Sequence, residues 1–549
     1  MEFLKALLAL FLSMISIFNI FDGPNHVTNP EHRKDFEYLE YPAEAIINPA
    51  DIGLTVSSYK SRGDDDGDEL YLNAQGYTDI NGVIDSPYFT MHVEGKRIPV
   101  YSTTVFVGST QKGELHSFCE IYVDTKAVIN YEFQINTKSF SISSVDIFSN
   151  GLNPEIMFSN NIVNGKISRL GTYTFVFNNN DQIHGFTLFV RELVDDEEEI
   201  AKYKEQYGES NVVVVEKGLH NSDAYFDLYG STNMVYYLKR GSYLLAKHTI
   251  DINNETDDAN KVETTANGRV GLGLTRFPYM NFHLANNVKL VGNGMVDLSH
   301  LDRRERRGLV FSYCTNIEVD GIKIVNPPEW SFITYDCENV TIKNVDIFGY
   351  RQNSDAFAIC NTRNATIDNS FCRSGDDLFD VKTAGGRPEA ISQNITFTNC
   401  TAWNGKARCF GICGEVNMPI NDVTFKDSTV VFHDATWNAD RIPALAIIVE
   451  QGGGSISNVT FDNIEINYVA NRPIGCLVYE NTVQNMKLSS ITYKNIRYKS
   501  GIANKISTKN ISSNSISASF ENIEYNGLKI TDLNSGLFEY DNNVNITIK

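Results

Sequence analysis

After residue 21, the sequence has no apolar run that approaches the length of a membrane span. A spanning helix needs about 20 consecutive apolar residues, so we expect no membrane span in the mature protein. Positive charge is also scarce: 47 Lys and Arg compare with 68 Asp and Glu, which gives a net charge of −21. This charge disfavours nucleic acid and anionic membranes as partners. It also disfavours a polyanionic substrate unless a local basic groove is present.

The sequence also has almost no helical periodicity. Most of it consists of short segments in which apolar and polar residues alternate. One helix is predicted, over residues 194–207, where acidic residues fill the first turn. Residues 28–200 contain alternating segments between turn signals, which predicts an N-terminal β-sandwich. Residues 1–22 combine one Lys with a short apolar stretch, as a secretory signal peptide does, and an uncleaved anchor is the alternative. We therefore expect a secreted protein.

A nine-residue phrase recurs through the C-terminal half of the chain, and Asn339-Val-Thr-Ile-Lys-Asn-Val-Asp-Ile is a typical copy. Further copies begin at Asn316, Asn364, Asn394, Asp422, Asn458 and Ser490. Each copy alternates apolar and polar residues, which is the strand period of two. One such unit cannot bury its own apolar face, whereas stacked units form a continuous core. The chain is therefore predicted to be all-β, with a parallel β-helix over residues 201–549.

Two kinds of stacked side chain follow from this repeat. The recurring Asn is expected to form a side-chain ladder at a corner of the coils. Cysteines recur 23 residues apart at Cys314, Cys337 and Cys360, which predicts one inward-facing stacked position. Thiols at such positions pack as small hydrophobes, so neither disulfides nor a metal site is expected of them. Cys409 and Cys413 have no His partner at ligand spacing, and we expect no metal and no cofactor.

Three carboxylates lie about one repeat apart within this region. Asn-Ser-Asp at 353–355 is followed, after eighteen residues, by Ser-Gly-Asp-Asp at 374–377. Stacking would place Asp355 one coil below Asp376 and Asp377, about 4.8 Å away by strand spacing. Gly375 predicts a bend or bulge that turns both later acids to one side. The alternative is that these three acids form an acidic surface turn or a calcium site. The acid-rich loop 62–69 is likewise either solvated or a calcium site.

Crowded carboxyl groups suit the hydrolysis of a glycosidic bond. That reaction needs a protonated carboxyl to donate to the leaving oxygen and an ionised carboxylate to activate water. Like-charge repulsion raises at least one pKa in such a cluster, so both protonation states coexist near neutral pH.

These motifs on a repeating β coil resemble the polygalacturonase-type clan of glycoside hydrolases. The clan contains family 28, the pectin hydrolases, and family 49, with dextranase and isopullulanase. The resemblance implies a right-handed parallel β-helix and an inverting hydrolase. When the motifs are matched one by one, the resemblance implies that Asp376 is the general acid. It implies that Asp355 and Asp377 position and deprotonate the water. Inversion implies carboxyl groups about 6.5–9.5 Å apart, because water must fit between them.

Two departures separate the chain from family 28 and favour a resemblance to family 49. The Gly-His-Gly of family 28 corresponds here to residues 407–410, which include Arg408 but no His. Its Arg-Ile-Lys, which holds a galacturonate carboxylate, is replaced by a segment that ends in Glu450. A carboxylated sugar needs Arg or Lys. A neutral polysaccharide or oligosaccharide, of the dextran or pullulan type, is therefore the expected substrate.

The alternatives are a hydrolase of a pectic glycan and a non-catalytic β-helix that binds glycans. About 200 non-repeating residues before the coils agree with the N-terminal β-sandwich of family 49. A polysaccharide lyase is disfavoured because the grip on a substrate carboxylate is missing. We expect a monomer.

Further substrate-binding residues are predicted around the three acids. Arg408 and Glu450 occupy places where the clan contacts substrate. Asp380 and Lys382 alternate with apolar residues on their strand, so they face the cleft if the apolar face is core. The basic run 303–307 either lines the groove or is a solvated loop. Aromatic residues that are candidates for stacking on sugar rings are Trp330, Tyr350, Trp403 and Trp437.

Overall fold

The computed structural model describes residues 36–47, 82–108, 112–152, 154–179, 181–222, 226–247, 278–301, 306–384 and 390–549. The predicted signal segment, the acid-rich loop 62–69 and residues 303–305 of the basic run lie outside these ranges. Within the ranges, one α-helix is present, Asp196–Tyr207. Its predicted position is confirmed, and the Asp195 carboxylate caps it by accepting bonds from two amides of the first turn. No helix in the described ranges has both the length and the apolar character of a membrane span.

The N-terminal part folds as two packed β-sheets, which confirms the predicted β-sandwich. After a short strand, Phe36–Tyr38, the larger sheet runs, in spatial order, Ile46–Ile47, Val83–Asp85, Tyr101–Val107, Lys112–Val123, Asp181–Glu192, Gly171–Phe177 and Val145–Phe148. The smaller sheet runs Ile156–Ser159, Ile162–Ile167, Tyr131–Thr137, Phe89–Val93 and Lys96–Ile98. Aromatic side chains fill the space between the sheets; the Phe133 and Phe175 rings, for example, lie 5.7 Å apart.

The rest of the chain is a right-handed parallel β-helix, as predicted, in which three stacks of strands surround one core. Stack A contains Val212–Val215, Thr232–Leu238, Asn286–Gly292, Thr315–Asp320, Glu338–Lys343, Arg363–Asp368, Ser392–Thr398, Ser515–Glu521 and Val544–Ile548. Stack B contains Gly218–Ser222, Ser242–Ala246, Met295–Asp297, Lys323–Val325, Asp346–Phe348, Phe371–Arg373, Thr401–Asn404, Ile523–Tyr525 and Leu528–Ile530. Three long strands run through both stacks: Ile420–His433, Ser455–Val469 and Lys487–Tyr498.

Stack C forms the third side of the helix and carries the acids at its edge. It contains Phe226–Asp227, Pro278–His283, Arg307–Ser312, Phe332–Tyr335, Phe357–Cys360, Phe379–Thr383, Phe410–Val416, Leu445–Gly452, Ile474–Val478, Asn504–Ser507 and Phe538–Tyr540. Inward-facing phenylalanines of successive strands stack on one another; the Phe379 and Phe410 rings lie 4.9 Å apart and nearly parallel. This continuous apolar column supplies the core that a single coil lacks.

The predicted asparagine ladder is present at the start of stack A. Asn339 donates from its side chain to the Asn316 side-chain oxygen at 3.0 Å, and Asn364 donates to Asn339 at 3.1 Å. Each of these residues has a positive φ near 55°, a conformation that Asn tolerates better than most residues. A second ladder follows where stack A turns into stack B, and there Asn369 donates to Asn344 at 2.7 Å.

The predicted cysteine column is correct for two members and wrong for the third. Cys314 and Cys337 lie in the helix core, and their thiols contact the carbonyls of stacked Phe282 and Phe311. Cys360 instead pairs in register with Tyr335 on the outward face of stack C. The coil that joins this pair is 25 residues long rather than 23, so the equal spacing in sequence does not give equal positions. All nine cysteines are buried and free.

The sandwich and the β-helix share an apolar cluster and a buried ion network. Glu120 and Arg191 come from the larger sheet, whereas Lys323 and Asp346 come from stack B. Lys323 Nζ lies 2.5 Å from Glu120 and 3.1 Å from Asp346, and Arg191 lies 3.2 Å from Asp346. All four side chains are buried. Buried charges need partners to offset the loss of water, and this network pairs two residues of the sandwich with two of the β-helix.

Candidate active site

One residue per coil lies at the edge where stack C begins, and we call this row the edge column. It consists of Arg307, Trp330, Asp355, Asp377 and Arg408. The residue that follows a member in sequence donates its backbone N–H to the carbonyl oxygen of the member on the next coil. Four such bonds join the five members, at distances between 2.8 and 3.1 Å. The backbone ladder therefore fixes the vertical register that the acid spacing predicts. Arg307, the last residue of the basic run, is part of this edge rather than of a solvated loop.

Asp376 joins the two stacked acids from the turn before its strand. Carboxylate oxygens of Asp355, Asp376 and Asp377 all lie within 4.8 Å of one another. Asp355 and Asp377 are buried, whereas Asp376 is partly exposed. The three acids thus meet in space, as their spacing in the sequence predicts, and it is the partly exposed Asp376 that a substrate in the cleft would reach.

A close backbone approach holds the Asp376 turn in place. A Cβ on Gly375 would lie 2.1 Å from the Arg351 carbonyl oxygen, so only glycine fits. The Gly375 amide donates to the Ser354 hydroxyl at 3.0 Å, and the Ser374 hydroxyl donates to the Ser354 carbonyl. The predicted bend at Gly375 is therefore tied directly to the turn that carries Asp355.

The three acids have different environments and different proton affinities. Burial, together with the nearby Asp377 charge, raises the pKa of Asp376 to about 6. Burial and the Asp376 charge raise the pKa of Asp355 well above its ordinary value. Burial acts in the same direction on Asp377, but attraction to Arg408 and Lys382 outweighs it and lowers the pKa of that carboxyl. The site therefore holds an ionised acid beside acids that keep a proton more readily.

Arg408 connects the acids to Glu450. Its Nη1 donates to both carboxylate oxygens of Asp377, at 3.3 and 3.1 Å, and its amide donates to the same residue at 3.1 Å. Its Nη2 donates to Glu450 at 2.5 Å. Arg441 also binds Glu450, with its Nε and Nη2 at 2.7 and 2.8 Å from the two oxygens. The predicted residues Arg408 and Glu450 are thus in direct contact.

Asp380 and Lys382 lie on the outward face of stack C, as their alternation with core residues predicts. Lys382 Nζ lies 2.7 Å from Asp380, 3.7 Å from Asp377 and 3.5 Å from Glu415. Burial and the Asp377 charge raise the pKa of Asp380 to about 8, although Lys382 offsets part of the shift. The charges of these acids outweigh the effect of burial on Lys382 and raise its pKa. Both residues are buried beneath the acids, so their contact with substrate is indirect.

The four aromatic candidates are placed very differently. Trp330 is partly exposed in the edge column, between Arg307 at 4.6 Å and Lys382 at 5.3 Å from its ring. Trp437 is 51 % exposed, and its indole nitrogen donates to the Lys406 carbonyl at 2.7 Å. Trp437 is therefore better placed than Trp330 to stack on a sugar, because the Trp330 ring already lies against two cations.

Two aromatic predictions are wrong. Trp403 is only 1 % exposed, because its ring is covered by the Arg373 guanidinium at 3.8 Å and by Phe432. Tyr350 is buried against Phe106 of the sandwich. Both side chains point to the junction with the sandwich, which the repeat pattern does not reveal, and neither presents a face to a substrate.

Sequence reasoning missed two residues that shape the site. Asn404 donates to the carbonyls of Asp376 and Arg408, each at 2.8 Å, and so joins the two turns. Arg441 lies in the loop between the strands Ile420–His433 and Leu445–Gly452 and contacts the site through Glu450. Asn404 ends its strand without any motif, and Arg441 lies outside the repeat, so neither carried a signal.

Two acid groups at the site have the geometry to hold a metal ion: the three acids themselves, and Asp377 with Asp380 and Cys413. Both groups include Asp377, which already binds Arg408 and lies near Lys382. Resident cations of this kind oppose the binding of a further cation.

The close approach of the three carboxylates has a structural cause. One oxygen of each acid lies within 4.8 Å of one oxygen of each of the others. Asp355 stacks on Asp377 in adjacent strands, which are ~4.8 Å apart, and Asp376 directly precedes Asp377. This closest-atom distance is a different quantity from the ~6.5–9.5 Å between carboxyl groups that inversion implies, so inversion stays a prediction.

Comparison with known proteins confirms the resemblance to the polygalacturonase-type clan. Residues 293–546 match the family model described as Glycosyl hydrolases family 28. Polygalacturonase QRT2 of Arabidopsis thaliana is 28% identical over 204 residues, which cover 34% of this chain and 42% of that protein. A polygalacturonase of Cryptomeria japonica is 24% identical over 224 residues, 38% of this chain and 40% of that protein. The chain thus spans about two fifths of the length of these relatives.

Similarity to a solved structure extends further along the chain. Dex49A from Penicillium minioluteum aligns with a TM-score of 0.52, covering 86% of this chain and 96% of that one. The two sequences are 12% identical, so this likeness concerns the fold alone.

Proposed function

We propose that this protein is a glycoside hydrolase that uses Asp376 as general acid, with Asp355 and Asp377 activating water. The match to the family 28 model supports the reaction class. One observation carries the assignment of roles: Asp376 is partly exposed with a pKa raised to about 6, beside a buried Asp377 whose pKa is lowered. Two carboxyls whose pKa values are driven apart are what acid and base catalysis requires.

The role proposed for each of the three acids follows from its contacts. Asp376 holds its proton at the mouth of the cleft and donates it to the leaving glycosidic oxygen. Asp377 is kept ionised by Arg408 and Lys382, so it accepts a proton from the attacking water. Oδ1 of Asp355 accepts no hydrogen bond from any described residue, which leaves it available to orient that water. Inversion at the anomeric carbon is proposed from the resemblance and is tested by proton NMR of the first-formed anomer.

The proposed substrate is a neutral polysaccharide, with an α-glucan of the dextran or pullulan type as the favoured class. The charge around the acids supports a neutral sugar, because each resident cation is already paired with a carboxylate. Lys382 binds Asp380, Arg441 binds Glu450, and Arg408 binds both Asp377 and Glu450. The net charge of −21 also disfavours a polyanion.

A pectic glycan is the second candidate substrate. The two relatives named above are polygalacturonases, and the guanidinium groups of Arg408 and Arg441 are suited to a carboxylate. Secretion is likewise a proposal, based on residues 1–22, and a monomeric state stays a prediction.

A glycan panel tests the proposal. Wild-type protein and Asp376→Asn are incubated with dextran, pullulan, polygalacturonate and its methyl ester, and reducing ends are counted. We expect the wild type to cleave one of the neutral glucans and Asp376→Asn to cleave none. Cleavage of polygalacturonate alone would favour the pectic candidate. No cleavage of any glycan, with binding retained, would favour a non-catalytic glycan-binding protein.

A further inference from the structure

The carboxylate of Glu450 occupies an anion site beside the catalytic acids. Arg441 binds it in bidentate fashion, at 2.7 and 2.8 Å, while Arg408 adds a third bond at 2.5 Å. Burial opposes the charge on Glu450, but the two arginines outweigh it and lower the pKa of this carboxyl. Paired guanidinium groups that converge on one carboxylate are the arrangement that proteins use to bind acidic ligands. Here the ligand is part of the protein.

This anion site lies where a substrate could reach it. Arg408 spans from Asp377 to Glu450, so the Glu450 carboxylate is one guanidinium group away from a catalytic acid. The Arg441 side chain is 40 % exposed and lies 5.3 Å from the ring of exposed Trp437. The Glu450 side chain itself is only 13 % exposed. The site is therefore open on the Arg441 side and closed by Glu450 at its base.

We propose that Glu450 is a specificity-determining residue: its carboxylate fills the place that the carboxylate of a uronic acid would take, and so excludes acidic sugars. This inference rests on the proposed function of the neighbouring acids as a glycan-cleaving site. A uronate entering beside Glu450 would meet a like charge and two arginines that already bind Glu450, through Nη2 of Arg408 and through Nε and Nη2 of Arg441. A neutral sugar with a hydroxymethyl group in the same position meets no such repulsion. Specificity of this kind comes from a repulsive element as much as from an attractive one.

Binding measurements on inactive protein isolate this effect from catalysis. Trigalacturonate and its methyl ester are titrated by calorimetry into Asp376→Asn and into Asp376→Asn/Glu450→Gln. The first protein should bind the ester at least as tightly as the acid. The second should prefer the acid by about tenfold, a factor that corresponds to roughly 1.4 kcal/mol, because a neutral amide at position 450 removes the negative charge that the two guanidinium groups bind in the parent. The gained preference should weaken as salt is raised.

Two controls complete the test. Adding Arg441→Gln to the Glu450→Gln protein should abolish the gained preference, because one of the two guanidinium groups is lost. Glu318→Gln, which changes an ion-paired Glu on stack A, should leave the preference of the inactive parent unchanged. Glu450→Ser serves as a second variant if Glu450→Gln melts abnormally.

The proposal is overturned if Glu450→Gln or Glu450→Ser binds the acid no better than its parent does. It is also overturned, without any change at position 450, if the Asp376→Asn protein binds trigalacturonate more tightly than the methyl ester. Hydrolysis of the neutral glucans by the wild type decides the proposed function separately. A protein that cleaves no glycan of the panel yet gains uronate binding on loss of Glu450 would refute the proposed hydrolase function, and Glu450 would then exclude acidic sugars from a binding site instead of a catalytic one.

Discussion

Asp355 and Asp377 are stacked one coil apart at the same position of stack C: the amide that follows Asp355 donates to the Asp377 carbonyl at 2.8 Å. The strand register agrees, because Phe357 pairs with Phe379, two residues beyond each acid. The cluster is therefore a product of backbone hydrogen bonding and does not depend on side-chain flexibility. Residues so placed keep their geometry without reorganisation, which is a condition for efficient acid and base catalysis.

Loss of the carboxyl at position 376 should abolish cleavage while leaving the fold intact. Asp376→Asn removes the proton donor, and general acid catalysis alone accounts for about 10²–10⁴ in rate. Reducing-end release on the cleaved glycan and thermal melting measure the two effects. Asp146→Asn, at an exposed position of the sandwich, is the matched control and should keep full activity. Activity that survives in Asp376→Asn would refute the role of this acid.

The pH profile should be bell-shaped, with its alkaline limb near pH 6. Asp376 has a raised pKa of about 6, so it carries the required proton below that pH and loses it above. Asp377 has a lowered pKa, so it stays ionised until the solution is more acidic than an ordinary Asp would need. Values of kcat/KM across about pH 3–8 report both groups.

Arg408→Gln should move the acidic limb of that profile to higher pH. The substitution removes a cation that holds the Asp377 pKa down, so Asp377 takes up a proton at higher pH. The same kcat/KM series on this variant measures the shift. An acidic limb that does not move would show that Asp377 does not limit activity at low pH.

Gly375→Ala should reduce activity strongly, because the new Cβ would lie 2.1 Å from the Arg351 carbonyl oxygen and must displace the turn that carries Asp376. A misplacement of about 1 Å costs on the order of 10² in rate. Gly453→Ala is the matched control, since a Cβ added at that glycine would meet no atom within 4 Å. Steady-state kinetics on both variants make the comparison, and equal activities would contradict the packing around the Asp376 turn.

The two tryptophans Trp437 and Trp403 should behave oppositely when changed to Ala. Trp437→Ala removes an exposed ring and should raise KM with little effect on stability. Trp403→Ala leaves a cavity beneath the Arg373 guanidinium and should cost about 3–5 kcal/mol of unfolding free energy. Glycan binding and denaturant unfolding separate the two effects. A loss of stability in Trp437→Ala would mean that this ring is structural.

Asp346→Asn should destabilise the junction between the sandwich and the β-helix. It leaves Arg191 and Lys323 buried with one partner fewer, and breaking a buried pair in this way costs about 3–5 kcal/mol. Urea unfolding measures the loss. The exposed pair Lys202 and Glu199 provides the control, because Glu199→Gln should change stability by less than about 1 kcal/mol.

The repeated nine-residue phrase was sufficient to predict the parallel β-helix and the clustering of the three acids. Stacked coils bring residues that are one repeat apart in the sequence next to one another in space. The pattern failed where coil length changes. Cys360 follows a 25-residue coil, so it leaves the column that Cys314 and Cys337 share. Register can be read from equal spacing only where no residue is inserted between the strands.

The orientation of side chains outside the strands was not predictable in the same way. Trp403 and Tyr350 point to the sandwich, whose position against the coils depends on contacts between segments far apart in sequence. Arg441 lies in a loop without periodicity, so its bond to Glu450 had no counterpart in the pattern. Charged partners of this kind are set by tertiary geometry, which a one-dimensional pattern does not contain.

The edge column has a consequence for how this protein can diversify. Every coil adds a single side chain to the rim, in steps of about 4.8 Å, while the residues behind it keep the interior intact. Neighbours along the rim are in contact, because the Arg307 guanidinium lies 4.6 Å from the Trp330 ring, so a change at one of these residues would act on the other as well. If the proposed function holds, the residues of this rim would set sugar preference, while the stacked phenylalanines behind them supply the core that holds the rim in place.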